Sequence, residues 1–442
     1  MSQQTRQVRD LLTSLNSSIE DEFARIGIVL AAGHGKRIRS ETSKMLHEIW
    51  GRPTVLRVAH AVQKGLESPN QVMVVGIKGI DVAQATGSQF GRLFAYQENP
   101  VLGLPAGTGD AVRVGLQAFA ESDTDRDIYI FLGDMGLLTE KVVAQFRTSF
   151  EETSCDMMVL TGLYSGPSEA NYYGRILRVP ASDHTDTPSG HDRDKVIEIK
   201  EYKDILDLDP ANPYQAIYNG RTYHFTRQEL LDTREINTGV FAFKERALRT
   251  YIQQITTDNV QNELMLTDLV QIFNQHQLVV RAAIAESEEE ILAFNVKSVW
   301  HQMQTIARTW AYEALKDTIT IADEQDFFIA DTVIEQILKM DKDRGPLDIV
   351  IGKGVHIGPQ VQLNRRVQIG DRTHLSGHIV LGEEVQIGVG VELSAYPGQT
   401  LVLSDEVEIL SRNILKGNLQ IGAQSRIESA VIMTATRPQS AT

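Results

Sequence analysis

The sequence contains a single cysteine, Cys155, in 442 residues. One thiol cannot form an intrachain disulfide, and a zinc site made of several cysteines is excluded as well. Residues 1–25 also lack the continuous apolar core of a signal peptide, because charged residues interrupt their apolar positions. These two absences predict a protein of the reducing cytoplasm.

Long apolar runs and an excess of positive charge are missing too. No stretch of eighteen consecutive apolar residues occurs, so we expect no membrane-spanning helix. The 43 Lys and Arg residues are outnumbered by 58 Asp and Glu residues, which gives a formal net charge of −15. This balance argues against a broad basic surface for nucleic acid or anionic lipid, while a local basic pocket for a small anionic substrate remains compatible with it.

The chain length favours two or three domains. Apolar residues at helical spacing, including Val8 and Leu12, predict an amphipathic N-terminal helix. The predicted segments are, in order, this helix at 1–25, an α/β domain at 26–295, a connector helix at 296–320, a left-handed parallel β-helix at 321–435 and a tail at 436–442.

The α/β domain is predicted from β-rich runs that alternate with longer helical patterns, as in a doubly wound, Rossmann-like fold around a mostly parallel sheet. The candidate strands are IGIVLAA, QVMVVGI, DIYIFLGD, DMMVLTG and NTGVFAF. Pro53–Gln63 and Thr108–Phe119 are long enough to cross over the sheet as helices. Two polar inserts, at 179–194 and around 205–234, are predicted to be loops or small hairpins at its edge.

The β-helix is predicted from a repeat of six residues. Aliphatic-glycine pairs such as Ile351-Gly352, Ile357-Gly358 and Ile369-Gly370 are separated by six or twelve positions. An aliphatic residue in each short strand fills the interior of such a solenoid. Ile421-Gly422 is out of phase with the repeat, and an inserted or irregular coil near Tyr396–Leu410 would explain the slip.

Two glycines and several basic residues follow the first predicted strand. Gly33 and Gly35 would let backbone N–H groups approach phosphate oxygens, while Arg37 and Lys44 would neutralise the charge of a leaving pyrophosphate. The segment lacks the third glycine of a dinucleotide-binding fingerprint, since Ile38 stands there, and Arg37 occupies the Ser/Thr position of a P-loop. A bare G-x-G is typical of an ordinary strand-to-helix turn, but the attached basic residues favour a triphosphate site.

Asp134 ends another apolar strand. Side chains at the carboxyl ends of parallel strands face the crevice in which α/β sheets bind ligands. An isolated aspartate on this spacing would more simply be a helix cap or a turn residue. Because magnesium prefers oxygen ligands, with several supplied by phosphate and water, we interpret Asp134 as a metal ligand.

The segment Leu30–His47 resembles the pattern L-A-A-G-x-G-x-R-[MLI]-x-S-x-x-x-K-x-L-H of the sugar nucleotidyltransferases. The likeness is greatest to the uridyltransferase half of the bifunctional N-acetylglucosamine-1-phosphate uridyltransferases, although Ser43 replaces their usual proline. The resemblance covers about residues 26–300. Further matching blocks follow in order: Gly107-Thr108-Gly109, Leu132-Gly133-Asp134, Tyr173-Gly174-Arg175-Ile176, Glu201-Tyr202-Lys203-Asp204, Glu235-Ile236-Asn237-Thr238-Gly239 and Asn295.

The resemblance implies a role for each matched position. Arg37 and Lys44 are the implied catalytic residues, and Asp134 and Asn295 the implied Mg²⁺ ligands. The implied substrate-binding residues are Ala31, Ala32, Gly33, Gly35, Gln97, Gly107, Thr108, Gly174, Glu201, Asn237 and Thr238. The sequence departs from the family at Asp110, where a histidine is customary, and at Gly136, where a proline is customary.

The C-terminal part resembles the bifunctional enzymes only loosely. Their acetyltransferase half needs a histidine base, a neighbouring tyrosine and basic residues that hold a sugar phosphate. His378 lies in a similar context, but one residue and the tyrosine are missing. We therefore expect a structural coil and no acetyl transfer.

The predicted function is Mg²⁺-dependent transfer of a uridylyl group from UTP to a sugar-1-phosphate, with N-acetylglucosamine-1-phosphate as the predicted acceptor. The family's β-helices also imply a homotrimer. One alternative is a UDP-glucose or other NDP-hexose pyrophosphorylase. It is kept open by Leu132, where the family commonly has an aromatic residue, and by the change at Gly136. A second is a catalytically degenerate scaffold that assembles through the β-helix.

Overall fold

The computed structural model describes residues 3–33 and 35–435. The predicted tail at 436–442 lies outside the described residues. The chain divides into two compact units: Met1–His47 with Arg52–Trp300, and Glu48–Gly51 with His301–Thr442. The boundary between the units lies at Trp300, five residues after the predicted end of the α/β domain at 295, and the short segment Glu48–Gly51 belongs to the second unit.

The first unit is built on a mixed sheet whose strands along the main path are, from one edge to the other, Val280–Ile284, Met157–Leu163, Glu235–Lys244, Asp127–Leu132, Arg25–Ala31, Gln71–Val75 and Arg92–Tyr96. Arg25–Ala31 pairs in parallel with Gln71–Val75 and with Asp127–Leu132. The strand Glu235–Lys244 runs antiparallel to both of its neighbours on that path. All five predicted strands are present, and the predicted fold class is confirmed.

The core of this unit lies on both faces of the sheet, because successive side chains of a strand point to opposite faces. Val29 and Ala31 belong to one buried cluster, whereas Ile28 and Leu30 belong to the other. Helices cover both faces. The described α-helices of the chain are Gln3–Leu15, Thr54–Leu66, Gly79–Thr86, Asn99–Leu102, Thr108–Gln117, Glu140–Glu152, Tyr202–Asp207, Arg227–Asp232, Glu245–Tyr251, Asp268–Gln275, Lys297–Leu315 and Asp331–Arg344.

The N-terminal helix is shorter than the predicted segment 1–25. It covers Gln3–Leu15, and the apolar residues Ile19 and Phe23 follow it outside the helix. Val8 and Leu12 are 1% and 3% exposed and belong to the core of the first unit. The apolar stripe of this helix is therefore already covered by its own domain.

The two predicted inserts belong to a small subdomain, which joins an inner strand of the main sheet and not its edge as predicted. The strands Arg175–Arg178 and Val196–Lys200 pair with each other and join the main sheet through Ile236. A second hairpin, Tyr214–Tyr218 with Arg221–Phe225, is flanked by helices. Its small core consists of Leu177, Val179, Ile197, Ile205, Ala216, Tyr223 and Leu230.

The second unit contains three stacks of short parallel strands, which confirms the predicted β-helix. The first stack is Thr320–Ile321, Val350–Ile351, Gln368–Ile369, Gln386–Ile387, Glu408–Ile409 and Arg426–Ile427. The second is Phe327–Ile329, Val355–Ile357, His374–Ser376, Glu392–Ser394, Ile414–Lys416 and Ile432–Thr434. The third is Val361–Gln362, Ile379–Leu381, Leu401–Leu403 and Gln420–Ile421. A two-stranded pair, Glu48–Ile49 and Arg52–Pro53, completes the set of described strands.

The irregular coil predicted near Tyr396–Leu410 is found as an insertion just ahead of Leu401. Val361 pairs with Ile379, 18 residues later, whereas Ile379 pairs with Leu401, 22 residues later. Four residues are thus added to this coil, which accounts for the out-of-phase Ile421. The sequence pattern did not predict the second insertion, the helix Asp331–Arg344 within the first coil.

Among the residues that the structure describes, no helix is both long enough and apolar enough to cross a membrane.

Candidate active site

The carboxyl ends of three adjacent parallel strands form one edge of the main sheet. The loops that leave these strands begin at Ala32, Gly76 and Gly133. A cavity of about 200 Å³ lies at this edge, lined by Ala31, Ala32, Gly33, Ser43, Gly76, Ile77 and Lys78. The structure thus places three of the predicted substrate-binding residues, Ala31, Ala32 and Gly33, around one cavity.

Two glycines are required by the close packing of these loops. A Cβ atom at Gly76 would lie 2.4 Å from the carbonyl oxygen of Ala32. Gly35 has a φ of +61°, and a Cβ atom there would lie 2.9 Å from the Cβ atom of Lys44. A side chain at Gly35 would therefore be strained and would displace Lys44.

Lys44 joins the two predicted metal ligands. Its Nζ atom forms an ion pair with Asp134 Oδ2 and donates a hydrogen bond of 2.7 Å to Asn295 Oδ1. The side chains of Lys44 and Asp134 are only 7% and 9% exposed. The Nζ atom also lies 5.7 Å from the ring centroid of Phe294, within reach of a cation–π interaction. The fold thus gathers three predicted site residues that are far apart in sequence, and we call them the Lys44 cluster.

The Lys44 cluster fits a magnesium ion. The second carboxylate oxygen, Asp134 Oδ1, is buried and has no hydrogen-bond partner among the described residues. A buried, unpaired carboxylate oxygen is costly unless a cation or donor joins it. Asn295 adds an amide oxygen, and the described residues contain no group of three or more His, Cys, Asp or Glu side chains placed to hold a metal. Few protein ligands together with phosphate and water oxygens are typical of magnesium.

Two contacts restrict the turn that carries Asp134. Arg57, on the helix Thr54–Leu66, donates a hydrogen bond of 2.8 Å from Nε to the carbonyl oxygen of Gly136. A Cβ atom at Gly133 would lie 3.0 Å from Met45 Sδ. The residues next to Lys44 and Asp134 therefore pack against each other, and the turn has little room to shift.

The second predicted catalytic residue, Arg37, lies on the short 3₁₀ turn Lys36–Ile38 and is exposed. The structure does not bring it into the Lys44 cluster. Its catalytic role remains a prediction, in which an exposed guanidinium approaches the phosphates of a bound nucleotide.

Gln97 lies beside the loop that carries Gly107 and Thr108, two of the implied substrate-binding residues. Its Nε2 atom donates to the carbonyl oxygen of Gly107 at 3.0 Å and to Asp110 Oδ2 at 2.8 Å. Asn99 donates to the other carboxylate oxygen of Asp110 at 2.7 Å. Burial raises the pKa of Asp110. Asp110, which replaces the family's histidine, therefore orients the Gln97 amide.

Gly107 and Thr108 are held by the neighbouring segment at Leu264–Leu266. Gly107 has a φ of +124°, and a Cβ atom there would lie 2.5 Å from the carbonyl oxygen of Leu264. The Thr108 hydroxyl accepts a hydrogen bond of 3.0 Å from the backbone N–H of Leu266. The substrate roles predicted for both residues stay predictions, and the contacts shown here position the loop.

Three of the implied substrate-binding residues, Gly174, Glu201 and Asn237, lie together; the resemblance implies that they bind the sugar. A Cβ atom at Gly174 would lie 3.3 Å from both carboxylate oxygens of Glu201. The backbone N–H of Asn237 donates a hydrogen bond of 2.9 Å to the carbonyl oxygen of Gly174. Burial raises the pKa of Tyr173, the residue before Gly174, and the charge of Glu288 adds to the shift.

Glu201 has an unusual protonation equilibrium. Burial raises its pKa to about 7, and the neighbouring Asp204 contributes to the rise, while a hydrogen bond from Thr267 opposes the shift. The pKa of the nearby Asp268 is raised to about 6, again mainly by burial. A carboxyl group that is half-protonated near neutral pH is a candidate for ligand recognition.

Thr238 has a structural role in the described contacts. Its hydroxyl donates to the carbonyl oxygen of Leu160 at 2.6 Å and accepts from the N–H of Val240 at 3.2 Å. These bonds span the bulge at which the register of this strand shifts, between Asn237 and Val240. Gly239 follows with a φ of +80°, and Leu132 fills the space beside it. The substrate role predicted for Thr238 is not tested by these contacts.

Sequence reasoning missed part of the cavity lining. Ser43, Gly76, Ile77 and Lys78 line the cavity but were not among the predicted residues. The signal for Gly76 and Lys78 was present, because they lie at the end of the predicted strand QVMVVGI, and the carboxyl end of this strand shares the edge with Gly33 and Asp134. The sequence analysis did not infer that Gln71–Val75 pairs in parallel with Arg25–Ala31, which is what brings these residues to the cavity.

Residues 27–179 match the model of the MobA-like NTP transferase domain. The chain is 27% identical over 401 residues to the bifunctional protein GlmU of Corynebacterium aurimucosum. The aligned region covers 90% of this chain and 71% of that protein. It is also 27% identical over 406 residues to the GlmU of Mycobacterium bovis, covering 91% and 71%. With the GlmU of Heliobacterium modesticaldum it shares 28% identity over 348 residues, covering 77% and 65%.

These likenesses confirm the resemblance to the sugar-phosphate nucleotidyltransferases. The family match covers the strands that supply Gly33 and Asp134. The likeness to the GlmU proteins extends over most of the chain, well beyond that domain. The residues that match the NTP transferase model include the carboxyl edge of the main sheet, where the cavity and Asp134 lie.

Proposed function

We propose that this protein transfers a uridylyl group from UTP to N-acetylglucosamine-1-phosphate, with release of pyrophosphate, in a reaction that depends on Mg²⁺. The single observation that carries the proposal is the Lys44 cluster, in which a buried ammonium lies between a carboxylate and an amide oxygen. The unpaired oxygen Asp134 Oδ1 gives that cluster a position for a cation that is bound to phosphates.

The reaction requires the protein to position the two substrates and to supply positive charge near their phosphates. A phosphate oxygen of the sugar phosphate attacks the α-phosphorus of the nucleotide, and the bond to the bridging oxygen of pyrophosphate breaks. That nucleophile is already anionic at neutral pH, so no side chain has to remove a proton. Lys44 and Arg37 neutralise the charge that grows on the leaving pyrophosphate. Magnesium, when bound at Asp134 and Asn295, adds positive charge next to the reacting phosphates.

The orientation of Gln97 supports a uracil base. Because its Nε2 atom donates to Gly107 and Asp110, its Oε1 atom is left without a hydrogen bond among the described residues. That oxygen can accept from the ring N–H at position 3 of uracil. Cytosine presents an unprotonated nitrogen at this position, so it would face the oxygen with a second acceptor.

The group formed by Gly174, Glu201 and Asn237 supports an N-acetylated sugar. A carboxyl group and a side-chain amide can bind hydroxyl groups and the acetamido group, and they lose partners with a plain hexose. The absence of one such partner costs about 1–3 kcal/mol for each buried group that stays unpaired. We therefore expect discrimination against glucose-1-phosphate.

The test is a matrix of UTP, CTP, ATP, dTTP and GTP against several sugar-1-phosphates, with pyrophosphate release measured with and without Mg²⁺. We expect the highest kcat/KM for UTP with N-acetylglucosamine-1-phosphate and no turnover in the presence of a chelator. Equal use of glucose-1-phosphate would contradict the sugar assignment and leave the reaction class intact. No turnover with any pair would favour a degenerate scaffold.

We also propose that the chain forms a homotrimer through its β-helix. The three stacks of strands in the second unit give the solenoid flat outer faces, which suit side-by-side packing. Light scattering over a range of protein concentrations should give three times the mass of 49.2 kDa. A monomer mass at every concentration would contradict the proposal.

A further inference from the structure

Another cavity of the first unit lies at the opposite end of the strands from the Lys44 cluster. Asp134 follows the carboxyl end of Asp127–Leu132, whereas Val279, which lines this cavity, precedes the edge strand Val280–Ile284. Both strands run in the same direction through the main sheet. The volume of the cavity is about 490 Å³, which lies within the roughly 300–1,000 Å³ of small-molecule sites. We call it the Arg281 cavity, after one of its lining residues.

Hydrogen bonds fix the walls of the Arg281 cavity. Asn274 donates from Nδ2 to the carbonyl oxygens of Val196 and Ile197 at 2.9 and 2.7 Å. These bonds fasten its helix, Asp268–Gln275, to the strand that follows Lys195. Because Asn274 and Lys195 both line the cavity, two of its walls are held together. A wall that is already ordered binds a ligand at a smaller entropic cost.

Two cations line the cavity, and none of its described lining residues is acidic. The Arg281 guanidinium has one hydrogen bond among the described residues, from Nη1 to the carbonyl oxygen of Val280 at 3.5 Å, which is longer than a usual bond. Lys195 donates from Nζ to Asp192 Oδ1 at 2.7 Å, and Asp192 Oδ2 also accepts from Asn219. The guanidinium of Arg281 thus keeps most of its donors available for a ligand.

Tyr218, a further lining residue, is influenced by both cations. Burial raises the pKa of its phenol, and the positive charges of Lys195 and Arg281 oppose that rise, while Asp192 adds to it. Two positive charges therefore act on one side chain. In a chain with a net charge of −15, two cations gathered at a cavity without an acidic lining residue favour an anionic ligand.

The lining groups match a phosphate monoester with a hydroxylated organic part. A guanidinium can bind two oxygens of one phosphate group, and an ammonium adds a point charge. The Oδ1 atom of Asn274 and the amide of Gln277 have no hydrogen-bond partner among the described residues, so they can bind hydroxyl groups. Leu278 and the ring of Tyr218 offer apolar surface to the carbon skeleton. A neutral ligand would leave the two cations without a counter-charge.

We propose that the Arg281 cavity is a binding site for a small phosphate monoester. Arg281 binds two phosphate oxygens, and Lys195 contributes a further contact while it stays paired with Asp192. Asn274 and Gln277 bind hydroxyl groups of the organic part. The site shares no residue with the Lys44 cluster and does not depend on nucleotidyl transfer.

The test is calorimetric titration of the full chain with inorganic phosphate and with glycerol 3-phosphate. We expect both to bind, with a Kd below about 5 mM for the ester and weaker binding of phosphate, which lacks the organic part. Arg281→Gln should weaken binding at least about tenfold, and Lys195→Gln about threefold, because Lys195 is already paired.

The matched control is Arg246→Gln, which removes an exposed arginine of the helix Glu245–Tyr251 and should leave the Kd unchanged. Thermal unfolding shows whether each variant is folded, and nucleotidyl transfer should keep its wild-type kcat in all of them. The titration needs no turnover, so its outcome is independent of whether the protein transfers a uridylyl group.

The proposal fails if neither phosphate nor the ester binds up to about 50 mM. Binding that Lys44→Ala removes and Arg281→Gln leaves intact would also contradict it, since the ligand would then occupy the nucleotidyltransferase site. Glycerol that binds as tightly as its phosphate ester would show that the cavity does not recognise the phosphate group. Succinate that does so would make the cavity a site for carboxylates instead.

Discussion

The Lys44 cluster and the groove of the β-helix, which Thr332, Gln336, His378 and Tyr396 line, treat charge in opposite ways. In the first, an ammonium and a carboxylate are more than nine-tenths buried and one carboxylate oxygen has no partner among the described residues. In the second, the described lining holds no charged side chain. Burying a charge pair costs several kcal/mol in desolvation, and the mutual attraction often fails to offset it. The burial of these charges is therefore better explained by binding of a highly charged ligand than by a contribution to stability. A groove without charged side chains requires no such ligand.

The sharpest test of this contrast is Asp134→Asn. The variant keeps the size of the side chain and one oxygen but removes the negative charge beside Lys44. We expect kcat for pyrophosphate release to fall at least about a hundredfold, because a charged group at the reacting phosphates is lost. Raising the Mg²⁺ concentration should restore part of the activity if the lost charge served the metal.

The matched control for this variant is Asp207→Asn, on the exposed end of the helix Tyr202–Asp207. It should keep wild-type kcat and thermal stability. Near-normal turnover of Asp134→Asn, with an unchanged dependence on Mg²⁺, would show that the cluster does not hold the metal.

A smaller loss is expected for Lys44→Ala. Charge on the leaving pyrophosphate is greatest in the transition state, so kcat should fall about ten- to a hundredfold while the KM for the sugar phosphate changes little. Lys64→Ala, an exposed lysine on the helix Thr54–Leu66, is the control. An effect confined to KM would place Lys44 in ground-state binding instead.

The architecture was largely predictable because both units repeat simple patterns. Apolar runs of five to seven residues such as Gln71–Val75 predict buried strands, and pairs such as Ile369-Gly370 predict the coils of the β-helix. The strand Arg92–Tyr96 was missed because it begins with arginine, although Arg92 is buried and binds Gln71 and Thr86. A buried arginine whose partners are brought to it only by the fold leaves no pattern in the sequence.

The residues of the candidate site were predictable where they belong to a sequence motif. The contacts between these residues were not predictable, because they depend on the fold. The resemblance named Lys44, Asp134 and Asn295 separately, but no spacing indicates that Lys44 joins the other two. Likewise, no spacing in the sequence indicates that Asp110 pairs with Gln97. The groove of the β-helix was beyond reach, because neither insertion carries a motif and only the folded coil brings them together.

Glu201 allows a test with a graded effect, since burial raises its pKa to about 7. Between an unfolded pKa near 4.5 and about 7, the folded state binds more protons than the unfolded state, so the free energy of unfolding falls as pH rises through this window. Glu201→Gln should remove up to about 3 kcal/mol of this decline between pH 4.5 and pH 8. Urea unfolding over this pH range measures it, with the exposed Glu121→Gln as the control.

The same ionisation should appear in catalysis. An ionised carboxylate is a stronger acceptor than a carboxyl group, so the KM for the sugar phosphate should fall a few-fold as pH rises through about 7. The change should be absent in Glu201→Gln, while kcat keeps its pH profile. A profile that is identical in both proteins would remove Glu201 from sugar recognition.

The smallest expected effect, a null result, concerns acetyl transfer at the groove. His378 has a ring nitrogen available, and a base of this kind could serve an acyl transfer. Such a reaction also requires a site for the phosphates of acetyl-CoA and of an amino-sugar phosphate, and none of the described lining residues is a cation. We therefore expect no thiol release when the protein is incubated with acetyl-CoA and glucosamine-1-phosphate, and no change in nucleotidyl transfer for His378→Ala. Thiol release that disappears in His378→Ala would reverse the contrast between the two sites, because the neutral groove would then work on charged substrates after all.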